Sequence, residues 1–266
     1  MQPRNSTRDT IAVGLGVCVI CSLLVSTAAV YLKPKQEANK RLDIQKNILV
    51  AAGLLESGAS IDPAKVEELF ARIETKVLDL TTGQFTDEYT PAEFDADAIE
   101  SDPATSIRLT AEQDLAAIRR RANFRLVYML HEGPELKRLI LPLHGKGLWS
   151  TMYGFLALEG DLNTIASLAF YQHGETPGLG GEIDNPLWKA HWAGKQVFEP
   201  GEWEEPKIEV IKGSVDPESA NAEYQVDGLS GATLTSRGVT HTLEFWLGQD
   251  GYGPFLETLR GGEQNG

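Results

Sequence analysis

Four apolar runs set how this chain folds: FRLVYML at residues 124–130, LKRLILPL at 136–143, TMYGFLAL at 151–158 and TIASLAFY at 164–171. Glu132-Gly133-Pro134, His144-Gly145-Lys146-Gly147 and Glu159-Gly160-Asp161 separate them. Short runs rich in aliphatic and aromatic residues, bounded by glycine-bearing turns, predict antiparallel strands. A Gly-rich loop follows from Gly174 to Gly181, then a short Trp-bearing helix around Pro186–Trp192 and a last strand at Ile208–Ile211. A final helix is expected from Ser236 to about Leu247, ended by Gly248.

Upstream the periodicity is helical. Asp62 and Pro63 predict an N-cap and first helical position, with Val66, Leu69, Phe70, Ile73 and Val77 forming one apolar stripe behind them. Residues 81–103, rich in Asp, Glu, Thr and Pro, read as a surface loop. Thr110 and Gln113 predict a capping box opening a short helix through Arg121. This order of elements predicts an α+β fold with helices segregated against an antiparallel sheet.

Residues 11–32 contain 22 consecutive positions without a charge. At about 1.5 Å per residue, a helix of that length crosses a hydrocarbon core of roughly 30 Å. Ser26-Thr27-Ala28 offers a cleavage-like pattern, but the run exceeds the roughly 7 to 15 apolar residues of a signal peptide, so a permanent single anchor is expected. Cys18 and Cys21 lie inside it and read as small hydrophobes, not as a redox pair. Residues 33–60 then read as a helical juxtamembrane linker. The first 46 residues hold seven basic side chains against three acidic ones, so the net charge of −14 belongs to the C-terminal body. Such a body repels nucleic acid, and no nucleic-acid partner is expected. Basic residues are denser after the anchor than before it, which by the positive-inside bias would put the body in the cytoplasm.

Three chemistries are set aside. The five histidines show no metal-ligand spacing, so no metal site is expected. Gly145-Lys146-Gly147 lacks the spacing of a phosphate-binding P-loop, and Ala232 breaks a Gly-x-Ser-x-Gly elbow at residues 228–232. Two loops remain. His173-Gly174-Glu175-Thr176-Pro177-Gly178-Leu179-Gly180-Gly181 would let backbone approach a flat ligand closely. Asp227-Gly228-Leu229-Ser230-Gly231-Ala232-Thr233-Leu234-Thr235-Ser236 precedes a helix, where backbone amides favour an anion and a hydroxyl stands in reach; an ordinary capped turn would read the same way.

The second loop resembles the flavinylation motif of proteins that carry FMN on a threonine through a phosphoester bond. With the Glu-Thr-Pro-Gly-Leu-Gly-Gly loop, Gly-Lys-Gly-Leu-Trp at 145–149 and the tail 242–256, the chain resembles the NqrC family, the C subunits of the sodium-translocating NADH:quinone reductase, over nearly its whole length. The G subunit of the related Rnf complex shares single pieces. A flavin-free anchored periplasmic binding or assembly module is the alternative from another class, and intact Asp227 and Thr233 speak against it.

The resemblance implies covalent FMN on Thr233, placed there from FAD by a flavin transferase, with Asp227, Ser230, Gly231 and Ala232 in the other motif positions. Thr235 is the nearest competing acceptor. Glu175, Thr176, Gly178, Leu179 and Gly180 would line the isoalloxazine; Trp149 packs beside it or in the core. The implied role is a one-electron relay in a sodium-pumping complex, expected to have six subunits, without a catalytic acid or base. The implied layout is a cytoplasmic tail (1–10), a transmembrane helix (11–32) in contact with lipid, the linker (33–60) and a periplasmic FMN-binding domain (61–266) on a bacterial inner membrane. That side opposes the charge count.

Overall fold

The computed structural model describes residues 7–263; the first six residues of the expected cytoplasmic tail lie outside them. The contacts divide the chain at Gln45/Lys46. The first unit is the larger part of helix α1 (Thr7–Ala51), whose most apolar stretch has a mean hydropathy of 2.4 and buries none of its residues. It is the one helix among the described residues long and apolar enough to cross a membrane. Pro34 lies within it, and Thr27 Oγ1 donates to the Leu23 carbonyl at 2.7 Å.

The second unit is built on a six-stranded antiparallel sheet. Its strands are β1 (Ile73–Asp79), β2 (Gln84–Phe85), β5 (Phe124–Glu132), β6 (Glu135–Lys146), β7 (Thr151–Glu159) and β8 (Ile165–Gln172), in spatial order β2-β1-β5-β6-β7-β8. All four expected central strands form. Their apolar runs are nearly continuous because both faces are buried. Val127, Met129, Leu139, Leu141, Leu143, Leu156 and Leu158 belong to the main core. The alternate residues Tyr128, Leu130, Ile140, Phe155 and Ala157 are buried outside it, as are Ile48, Leu49 and Val66. Fully burying one such aliphatic side chain is worth about 1.5–3 kcal/mol. On that outer face Phe70, in helix α2 (Pro63–Phe70), meets Tyr128 edge-on, and Ser167 Oγ donates to the Ala51 carbonyl at 3.3 Å. Burial therefore begins at Ile48, within the stretch read as a linker.

Helix α5 (Thr233–Leu247) packs on β6 from the core side. Two buried aromatics fasten this layer: Trp246 Nε1 donates to the His144 carbonyl and Tyr252 Oη to the Pro142 carbonyl, both at 2.7 Å. Helix α6 (Gly253–Glu263) closes the described chain, and Phe255 and Leu256 bury themselves in the same core.

Several expectations are corrected. The helix opened by Asp62, whose carboxylate accepts from Ala64 N at 2.8 Å, stops at Phe70. Ile73 and Val77 stand in β1, opposite Leu130 and Leu126. A spacing of four fits both a helical turn and two strand repeats, so the stripe does not discriminate. The surface loop at 81–103 contains β2 and helix α3 (Ala96–Ser101), capped by Asp95. The capping box forms, with Thr110 N on Gln113 Oε1 and Gln113 N on Thr110 Oγ1, but no helix grows from it. Instead Asp114 accepts from Ile118 N and Arg119 N, φ is positive at Ala117 and Arg119, and β4 (Arg120–Ala122) pairs with β3 (Ser106–Arg108). The last strand is shorter than expected: β9 (Glu209–Val210) pairs in parallel with β10 (Gln225–Val226). The helix expected to be final, α5, starts at Thr233, three residues before Ser236, and α6 follows it.

Candidate functional site

Three loops meet at the end of the sheet: residues 146–150 between β6 and β7, 173–181 after β8, and 227–233 ahead of α5. Glu175 joins them. Its carboxylate is buried and accepts from the amides of Leu148 (3.1 Å), Trp149 (2.9 Å) and Ser150 (3.3 Å), and from the Thr235 hydroxyl at 2.6 Å. Burial disfavours the charge, but these four donors outweigh it and hold the carboxyl below the usual carboxylate range. The loop itself is anchored at its start: Gly174 N donates to Ser150 Oγ at 2.6 Å, and His173 Nε2 meets Asp184 Oδ2 at 2.7 Å.

The fit between loops requires glycine at two positions. A Cβ at Gly180 would collide with Thr235 Oγ1 and stand 2.8 Å from Glu175 Oε2. Gly231 has φ +72°, and a Cβ there would stand 3.0 Å from Leu179 Cδ2. Leu179 of the Gly-rich loop therefore leaves no room for a side chain at Gly231 in the loop before α5.

Thr233 is exposed and is the first residue of α5. Ala232 at the N-cap has no side-chain oxygen to offer, so no capping side chain competes for the first-turn amides. Ser230 and Gly231 are exposed beside it, whereas Ala232 is buried. Thr235 is only 1% exposed and its hydroxyl is engaged by Glu175. Ser236 Oγ accepts from Leu229 N at 3.1 Å. Asp227 braces the loop: Oδ1 accepts from Val215 N at 2.8 Å, and its carbonyl accepts from Trp188 Nε1 at 2.8 Å.

Two different surfaces flank Thr233. On one side stand exposed apolar side chains, Leu179 against Gly231 and Leu234 next in sequence to Thr233, with Leu148 and Trp149 on the turn clamped by Glu175. Trp149 is 66% exposed, which excludes the alternative position in the core. Thr176 and Gly178 are exposed on the same loop as Leu179, and Gly180 is buried. On the other side a groove of about 340 Å³ between residues 209–213 and α5 is lined by Thr233, Lys212, Arg237 and His241. Sequence reasoning misses Lys212 and Arg237. The spacing of four between Thr233 and Arg237 is the available signal once the helix start is known. No cluster of His, Cys, Asp or Glu among the described residues could hold a metal ion.

An FMN-binding domain family matches residues 147–248, which takes in the second and third loops and the first from Gly147 on. The C subunit of the Na(+)-translocating NADH-quinone reductase of Pseudomonas aeruginosa is 52% identical over 264 residues, covering 99% of this chain and 100% of that protein. The Vibrio anguillarum protein of the same name is 48% identical, covering 98% of each. The crystal structure of Shewanella oneidensis NqrC superposes with a TM-score of 0.75 at 33% identity, over 84% of this chain and 99% of that one. The corresponding protein from Parabacteroides distasonis gives a TM-score of 0.59 at 25% identity, over 86% and 96%.

Proposed function

For a chain that belongs to the NqrC family, the C subunits of the Na(+)-translocating NADH-quinone reductase, we propose that Thr233 carries FMN through a phosphoester bond and that the protein relays single electrons within the membrane-bound reductase. The observation that carries this reading is the contrast between two neighbouring threonines. Thr233 is exposed at the start of α5, and the hydroxyl of Thr235 is buried on Glu175. Attachment from FAD forms the Oγ–phosphorus bond at Thr233, breaks the pyrophosphate bond and releases AMP, with the hydroxyl proton lost to the flavin transferase.

The residues present fit the cofactor. The apolar side chains of Leu179, Leu148, Trp149 and Leu234 suit a flat aromatic ring, and the start of α5 suits a phosphate. Bound FMN supplies reversible redox chemistry, and the protein's own part is to hold it and tune its surroundings. Thr176, Gly178, Leu179 and Gly180 present the loop to the ring. Glu175 contributes by fixing that loop to the 146–150 turn and to α5. Asp227, Ser230, Gly231 and Ala232 shape the approach to Thr233. A covalent tether keeps the cofactor in place through both redox states, independent of free FMN.

We assign the body to the periplasmic face of the inner membrane, anchored in lipid by α1, as the family resemblance implies and against the charge count, since large domains can translocate despite basic residues flanking an anchor. Its partners are the other subunits of the complex. In-gel fluorescence after denaturing electrophoresis, with a flavin transferase co-expressed, tests the attachment. Wild type and Thr235→Ala should fluoresce and Thr233→Ala should be dark. A dark wild type, with the transferase active on another substrate, overturns the reading.

A further inference from the structure

We infer that Arg237 and Lys212 form the counter-charge that holds the phosphate on Thr233, so that the groove beside α5 is the phosphate side of the site and the apolar loops are its ring side. This rests on the reading of Thr233 as the FMN-bearing residue. Arg237 follows Thr233 by four positions in one helix, which puts both on the same face with Cβ atoms about 5–6 Å apart. Both line the groove, and Lys212 lines it from the opposite wall.

The position of Lys212 is set by its neighbours. Gly228 N donates to the Gly213 carbonyl at 2.8 Å, and Ile211 N donates to the Val226 carbonyl at 3.0 Å. A Cβ at Gly228 would collide with the Ile211 carbonyl, so residues 211–213 lie directly against the loop that ends in Thr233. Neither Arg237 nor Lys212 makes a side-chain hydrogen bond or ion pair among the described residues. Elsewhere in this acidic chain Arg138 is paired with Glu159, Lys189 with Asp184 and Lys207 with Glu199.

The acidic residues of the groove do not cancel the two cations. Glu209 keeps its charge but adjoins Val210, whose N donates to Thr240 Oγ1 at 2.9 Å, seven residues and about 10 Å along the helix past Thr233. Glu244 lies eleven residues past Thr233, about 16 Å along the helix axis. The end of the groove that touches Thr233 is therefore its basic end, and the open amides of the first helical turn add to it. The Arg237 guanidinium can bind two phosphate oxygens at once, and Lys212 supplies a point charge.

The test compares FMN with riboflavin, which shares the ring and lacks the phosphate. Full-length chain purified in detergent without the transferase is titrated with each flavin by isothermal calorimetry. The wild type should prefer FMN by about ten-fold, and the preference should shrink as salt is raised. In Arg237→Ala/Lys212→Ala it should fall to within about two-fold, through loss of FMN affinity with riboflavin affinity kept. Arg237→Lys should retain part of it. A double variant with the wild-type ratio overturns the inference, as does a wild type that binds the two flavins equally or neither at millimolar concentration. Failure of the attachment reading would show separately, as fluorescence that persists in Thr233→Ala.

Discussion

The Thr235 hydroxyl donates to the Glu175 carboxylate at 2.6 Å, joining the first turn of the helix that begins at Thr233 to a loop sixty residues earlier. Because Glu175 also gathers three amides of the 148–150 turn, its carboxylate ties that turn and its own loop to the start of α5.

Thr235→Val keeps the shape of the side chain and removes its donor. A buried charged acceptor losing one partner should cost about 1–3 kcal/mol, read as a lowered melting temperature of the full chain in detergent. Covalent loading at Thr233 should persist, since its own hydroxyl is untouched.

Glu175 should make stability depend on pH. Its carboxyl titrates lower in the folded chain than in the unfolded one, so its contribution is full above the ordinary carboxylate pKa and is lost as pH falls through the depressed folded value. In Glu175→Gln that acidic loss should be smaller, while the melting temperature at neutral pH is lower than in wild type. Equal slopes of stability against pH through the acidic range for the two proteins would count against this assignment.

Gly231→Ala should be destabilising for two separable reasons, the positive φ and the 3.0 Å approach to Leu179 Cδ2. The backbone part is about 1–2 kcal/mol. Adding Leu179→Ala should relieve the steric part alone, so a double-mutant cycle on melting should show a favourable coupling between the two changes. Strict additivity would mean that the loops are not in contact.

Trp149→Ala should leave stability within about 0.5 kcal/mol, because the side chain is mostly in solvent. The absorbance and fluorescence of the loaded flavin should nevertheless shift. An unchanged flavin spectrum would remove Trp149 from the ring side.

The central strands are legible in the sequence because their apolar runs are long and their turns carry glycine, a signal that lies entirely among neighbouring residues. The single anchor is legible for the same reason. The region from Thr110 to Arg121 is not, since its capping box is a local signal overruled by distant partners: Lys146 N on the Ala116 carbonyl and Gln113 Nε2 on Asp250 Oδ1. Ile73 and Val77 are misplaced by periodicity because their spacing suits helix and strand alike.

At the site, glycine content and hydroxyls among adjacent residues single out the two loops, and the family resemblance, not spacing, picks out the threonine-bearing motif. The amino-acid order could not tell that Thr233 is exposed while Thr235 is buried on Glu175, nor foresee that the Glu175 carboxylate points into the protein, nor bring Lys212 to the groove of Arg237. These were fixed by the folded arrangement alone. Each depends on burial and on hydrogen bonds or close packing between segments far apart in the chain, and such contacts exist only once the sheet has brought its loops together.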